Sequence, residues 1–142
     1  MTVRVVASIA CVLLAADDAA EEYLKKLQGE WVLVSFKKEG EDLPAKAIEA
    51  TRLTVKGEQW LYKSDIGEWS TTFKIDPSKT PKTIDMTIGT GKTARRQRGI
   101  YKIDGDTLTI CRAAGRGDEE RPKEFPGDHK GLVLIVWKRA RN

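Results

Sequence analysis

Gly99-Ile100-Tyr101-Lys102-Ile103-Asp104-Gly105-Asp106-Thr107-Leu108-Thr109-Ile110-Cys111 is the stretch that decides the fold. Two alternating apolar runs flank an Asp-Gly pair, and a glycine at that point supplies the positive φ that a tight hairpin needs. The pattern marks antiparallel β structure. Upstream, Leu27-Gln28-Gly29-Glu30-Trp31 carries the chain from a helix through a glycine into a first strand.

Working outward, the same signals recur. Ala20, Tyr23, Leu24 and Leu27 fall at i, i+3, i+4 and i+7, with acids early and bases late, so a short amphipathic helix ends at Gly29. Strands follow over 31–36, 52–56, 59–63, 68–75 and 82–88, two more flank Asp104-Gly105-Asp106, and a last one covers 132–138. Pro44-Ala45-Lys46-Ala47-Ile48-Glu49-Ala50 reads as a helical turn near 44–50, with Pro44 at the first position, where its missing N–H costs nothing. It is expected to cap the barrel. Ile84, Met86 and Ile88 should face the interior and Asp85 outward. The last strand is apolar on both faces and is expected to lie under the N-terminal helix. Eight antiparallel strands joined in sequence predict an all-β, up-and-down barrel, which holds its own side chains or one small ligand.

The chain has 142 residues, enough for one domain and too few for two separate cores. Its 40% apolar and 32% charged residues are those of a folded globular protein. Residues 1–16 differ from the rest: Arg4 precedes the run Val5 to Ala16, and acids follow. That is the pattern of a signal peptide, too short for a transmembrane span of roughly 20 residues. Residues 17–142 then form the single domain, exported to the periplasm or the extracellular space. An alternative takes Ser8-Ile9-Ala10-Cys11 as a degenerate lipobox, with a lipid anchor on Cys11. In either case Cys111 is left without a partner, a small apolar side chain on a strand.

Net charge is +4, or +3 once Arg4 is removed, which is too little to indicate nucleic acid. Lys92, Arg95, Arg96 and Arg98 crowd into seven residues and are read as a solvated loop with weak attraction for an anionic surface. No aromatic residue interleaves them to stack on a base.

Gly29-Glu30-Trp31, entered from a helix, resembles the G-x-W signature of lipocalins and related barrels. There the tryptophan plugs the closed end and a basic side chain near the last strand lies across it. Trp31 matches the first role, and Lys138 or Arg139 the second. The chain more closely resembles a family of uncharacterised lipocalin-like domains abundant in planctomycete bacteria. The resemblance runs through Leu27 to Trp31, Leu43-Pro44, Leu53 to Gly57, Phe73 to Pro77, Pro81 to Asp85, Gly99 to Tyr101, Asp104 to Leu108 and Arg121-Pro122. It implies the barrel and export, but no activity and no catalytic residue.

The residues themselves argue against chemistry. His129 is the one histidine, in a turn-rich loop, and no His/Cys cluster has the spacing of a zinc site. Gly89-Thr90-Gly91-Lys92-Thr93 imitates the tail of a phosphate-binding loop, but Met86 stands where the first glycine is required and no apolar helix follows. Asp65, Glu68, Asp85, Asp104 and Asp106 are the carboxylates available for pairing, and Asp104 and Asp106 are better read as turn formers. No enzyme activity, cofactor or metal is expected. The reading that remains is binding of a small hydrophobic or amphipathic ligand by a cup lined from among Trp60, Tyr62, Trp69, Phe73, Met86 and Tyr101, with Trp137 a further large side chain. An interaction or structural module of the cell envelope, using the basic segment and the polar loop near 113–130, is the alternative.

Overall fold

The period-two patterns resolve into a barrel in the computed structural model, which describes residues 18–115, 117–125 and 130–141. The expected leader, Cys11 and His129 lie outside the described residues. Helix α1, over residues 18–27, leads into β1 (Gly29–Lys38), the two-residue β2 (Glu41–Asp42) and helix α2 (Ala45–Ala50). Next come β3 (Arg52–Lys56), β4 (Gln59–Ser64), β5 (Gly67–Asp76), β6 (Lys82–Ile88), β7 (Arg95–Asp104), β8 (Thr107–Ala113) and β9 (Leu132–Arg139). Each strand from β3 to β9 pairs antiparallel with the next, β1 pairs with β3, and β1 also pairs with β9, so the ring is closed. The eight expected strands are its staves, and β2 only folds back on the end of β1.

A β-bulge adapts β1 to the ring. Leu33 lies opposite Trp137, but Ser35 and Phe36 lie opposite Val136 and Ile135, leaving Val34 without a partner and 44% exposed. The extra residue resets the alternation. Trp31, Leu33 and Phe36 therefore all sit on the inner face, which accounts for an apolar run with no clean period of two.

The base of the barrel is sealed by one contact set. Trp31 is fully buried, and its indole N–H donates to Leu27 O at 2.9 Å. The Arg139 guanidinium lies 4.3 Å from the Trp31 ring and donates to Gln28 O at 2.8 Å and to Lys26 O. Asp106, in the β7–β8 turn, accepts from the Arg139 backbone N–H at 2.8 Å and stands 3.5 Å from its Nε. Arg139, rather than Lys138, is thus the basic residue across the indole. Gly29 takes φ 112°, and a Cβ there would stand 3.4 Å from the same guanidinium. The Gln28 amide closes the remaining side, donating to Gly57 O and accepting from Gly57 N.

Three expectations about position are corrected. Helix α1 lies across this base, with Leu24 and Leu27 against the core, rather than on the outer side of β9, because its carbonyls are held by Trp31 and Arg139. The outward Leu132, Leu134 and Val136 of β9 stay half-buried. Of the basic segment only Lys92 lies in the β6–β7 connection, since Arg95, Arg96 and Arg98 pair with Ile88, Thr87 and Asp85 as part of β7. Ile84 and Met86 are buried, and Ile88 also faces the interior as expected, lining the upper cavity at the rim, where it is 37% exposed. The segment after β8 is strapped along the wall: Arg121 donates to Gly99 O at 2.8 Å and pairs with Asp85 at 2.7 Å.

Replacing Trp31 with Ala should cost about 3–5 kcal/mol by urea denaturation, the usual cost of emptying a buried aromatic site. A double-mutant cycle with Arg139→Ala should show coupling of about 0.5–2 kcal/mol, as a desolvated cation–π contact gives. Strict additivity would mean that ring and guanidinium do not act as one seal.

Candidate functional site

Above the seal the interior divides in two. Trp60, Phe73 and Tyr101 are essentially fully buried, with the Trp60 and Phe73 rings in edge contact at 5.4 Å, and they fill the lower half. These three candidates for the cup stand in the packed core. The upper half is open. A cavity of about 450 Å³ lies at the end opposite Trp31, within the size range of small-molecule sites. Tyr62, Trp69 and Met86 line it, together with Leu33, Phe36 and Trp137.

Local structure explains each wall. The β4–β5 turn carries Asp65 and Ile66 over one side of the mouth, and α2 brings Ala47 over another, with Leu43 just before it and Thr51 just after. The capping role expected of 44–50 is therefore carried out at the mouth. Trp69 is half-exposed and Ile66 projects almost entirely into solvent. The Tyr62 ring stands 5.7 Å from Trp69 and 6.1 Å from Trp137, making a continuous aromatic surface from rim to floor.

Polar groups in this cup are few and carry information. Gln97 and Arg112 reach it from β7 and β8. Both follow the alternation: Gln97 is two residues before Gly99, and Arg112 extends the inward series Leu108, Ile110. Sequence reasoning passed over Arg112 because an arginine at a strand end suggests solvent. The parity of its own strand was the signal that places it inside. Burial pushes its guanidinium below the ordinary range, opposed by attraction from Tyr62, Cys111 and Glu119. Burial also pushes the Tyr62 hydroxyl up, offset in part by Arg112 and by the nearby Trp60 indole N–H, which does not reach hydrogen-bond geometry.

Other candidates resolve separately. Glu68 pairs with Lys63, Asp85 with Arg121, and Asp106 with Arg139 and Arg141, so these carboxylates do not share a site. No group of three or more His, Cys, Asp or Glu among the described residues is placed to hold a metal ion. Gly91–Thr93 forms a single 3-10 turn. No protein-family model, curated protein or solved structure matches the chain significantly.

Cys111 is fully buried beneath the strap, and burial lifts its thiol from 9.0 to about 11, with Arg112 opposing. Its folded pKa is raised, so the stabilisation is complete below pH 9 and is lost as pH climbs toward 11, where the unfolded chain ionises first. Between those limits the wild type should lose roughly 2–3 kcal/mol more stability than Cys111→Ala in urea titrations. Parallel losses would show that this thiol ionises alike in the folded and unfolded chain.

Proposed function

We propose that the protein binds a small hydrophobic or amphipathic molecule in the cup, without chemistry, as an exported carrier or sensor. The observation that carries this reading is the asymmetry of the interior. One end is packed and sealed, while the other leaves an apolar cavity of about 450 Å³ open to solvent. A protein that needed only stability would fill both halves, since empty apolar volume destabilises a core. The exposed Ile66 and Trp69 at the rim add apolar surface along which such a ligand enters. The resemblance to lipocalin-like domains points the same way, and the leader expected at 1–16 supports the exported part of this reading.

The test uses an uncharged polarity-sensitive fluorophore, N-phenylnaphthylamine, titrated into the protein. One molecule per chain should bind with enhanced emission. Thr71→Phe projects a ring into the cavity and should weaken uptake at least about tenfold without lowering Tm, because it fills empty space. Trp69→Ala should weaken uptake several-fold, on the order of 1 kcal/mol of lost aromatic contact. Uptake by Thr71→Phe equal to that of the wild type would place the fluorophore elsewhere and remove the cup as the site.

A further inference from the structure

We infer that the ligand carries a single carboxylate on an apolar body, and that Arg112 holds that carboxylate inside the cup. This rests on the cup being the binding site and adds the chemical class of its occupant. Three observations on one cavity converge.

The first is an inward cation without a counter-ion. Among the described residues Arg112 makes no salt bridge. Its one internal hydrogen bond donates from Nη1 to the carbonyl of Ala113 at 3.2 Å, which leaves most of its five N–H donors unused. Guanidinium is the side-chain group whose planar fork matches a carboxylate in two parallel hydrogen bonds.

The second is a set of orphaned polar atoms on residues lining the same cavity. Thr71 Oγ1 and Trp137 Nε1 are buried and have no hydrogen-bond partner. An indole N–H only donates, and a threonine hydroxyl can donate, so both suit an acceptor-rich head group. Both atoms are shut off from solvent, as are the unpaired Trp60 Nε1 and Tyr101 hydroxyl in the packed half, so they mark polar groups set behind the wall of the cup rather than contacts already open to an occupant.

The third is the shape given to the site. Gly99 is the cross-strand partner of Arg112, and a Cβ there would meet Cys111 O at 2.9 Å and Arg112 Cβ at 3.4 Å. The bare backbone at 99 leaves the root of the Arg112 side chain uncrowded by its cross-strand neighbour. Around this polar spot the surface is Leu33, Phe36, Met86 and Trp69, which suit a chain or ring system and offer nothing to a second charge.

Decanoate, decan-1-ol and decylamine share a tail and differ in head group, so calorimetric titration of the three into wild type and Arg112→Gln separates the claims. Decanoate should bind wild type tighter than decan-1-ol by on the order of tenfold to a hundredfold, the range of a charge-assisted hydrogen bond, and decylamine should bind weakest. In Arg112→Gln the carboxylate preference should vanish, decanoate falling to the affinity that decan-1-ol shows for the same variant, while an unaltered circular dichroism spectrum and Tm show that the barrel is still folded. Should that variant fail to fold, Arg112→Lys keeps the charge but not the fork and should lose part of the preference. Equal wild-type affinity for acid and alcohol overturns the carboxylate assignment and leaves the cup standing. A preference that survives Arg112→Gln overturns the role of Arg112. Failure of all three ligands to bind wild type overturns the cup itself and this inference with it.

Discussion

The guanidinium of Arg139 over the Trp31 ring is the contact on which the rest of the molecule depends. Closing a sheet into a ring brings together its most distant strands, here β1 and β9, at a conformational cost that their ladder alone must meet. Arg139 adds to that ladder at the point where the first strand begins and the last one ends. It also fastens the last turn of α1 through the carbonyls of Lys26 and Gln28, and the β7–β8 hairpin through Asp106. Three parts of the chain far apart in sequence, the α1–β1 junction, the β7–β8 hairpin and β9, are thereby tied across one indole. The aromatic face suits this task, since it attracts the cation while excluding water from the base.

From that sealed base upward, side-chain size dictates what the interior can hold. Trp31, Trp60, Phe73 and Tyr101 occupy the lower half so completely that no ligand volume remains there. Above them the inward positions include Thr71, Gln97 and the bare backbone of Gly99, which are too small or too polar to meet in the middle. Packing below and vacancy above thus arise from one alternating pattern with a gradient in residue volume. The bulge at Val34 belongs to the same design. By turning Phe36 inward at the top of β1 it gives the upper half an apolar wall where the unbroken alternation would have placed Ser35.

Fold and site were not equally legible. Strands and the hairpin at Gly105 could be read because each is local, resting on a period of two or a glycine with φ 59°, while the stopper at Trp31 was implied by the likeness of Gly29-Glu30-Trp31 to the lipocalin signature. The position of α1 could not be read, since besides the local bond from Trp31 it is fixed by Arg139, more than a hundred positions away, donating to Lys26 O and Gln28 O. Of the proposed cup residues, Tyr62, Trp69 and Met86 line the cavity while Trp60, Phe73 and Tyr101 are core. All six alternate inward, so the difference lies in height along the barrel, which periodicity does not encode. Height follows from register: Trp60 lies opposite Val55 and Tyr62 opposite Leu53, so two residues of travel on β4 separate core from cup. Arg95 and Arg96 show the converse limit, because charged residues at a barrel rim extend a strand without leaving an apolar trace.

Arg112 is where the sequence departs from what stability alone would choose. Removing a cation from water costs several kcal/mol even after relaxation, and in a folded protein that cost is ordinarily met by a carboxylate partner. Nothing among the described residues plays that part, although Glu119 contributes attraction from a distance. An apolar side chain at 112 would extend the apolar lining of the cup without that cost, yet an arginine stands there. A largely buried arginine with no carboxylate partner among the described residues, set at the open end of an otherwise apolar interior, is the pattern expected where a surface has been kept ready for an occupant.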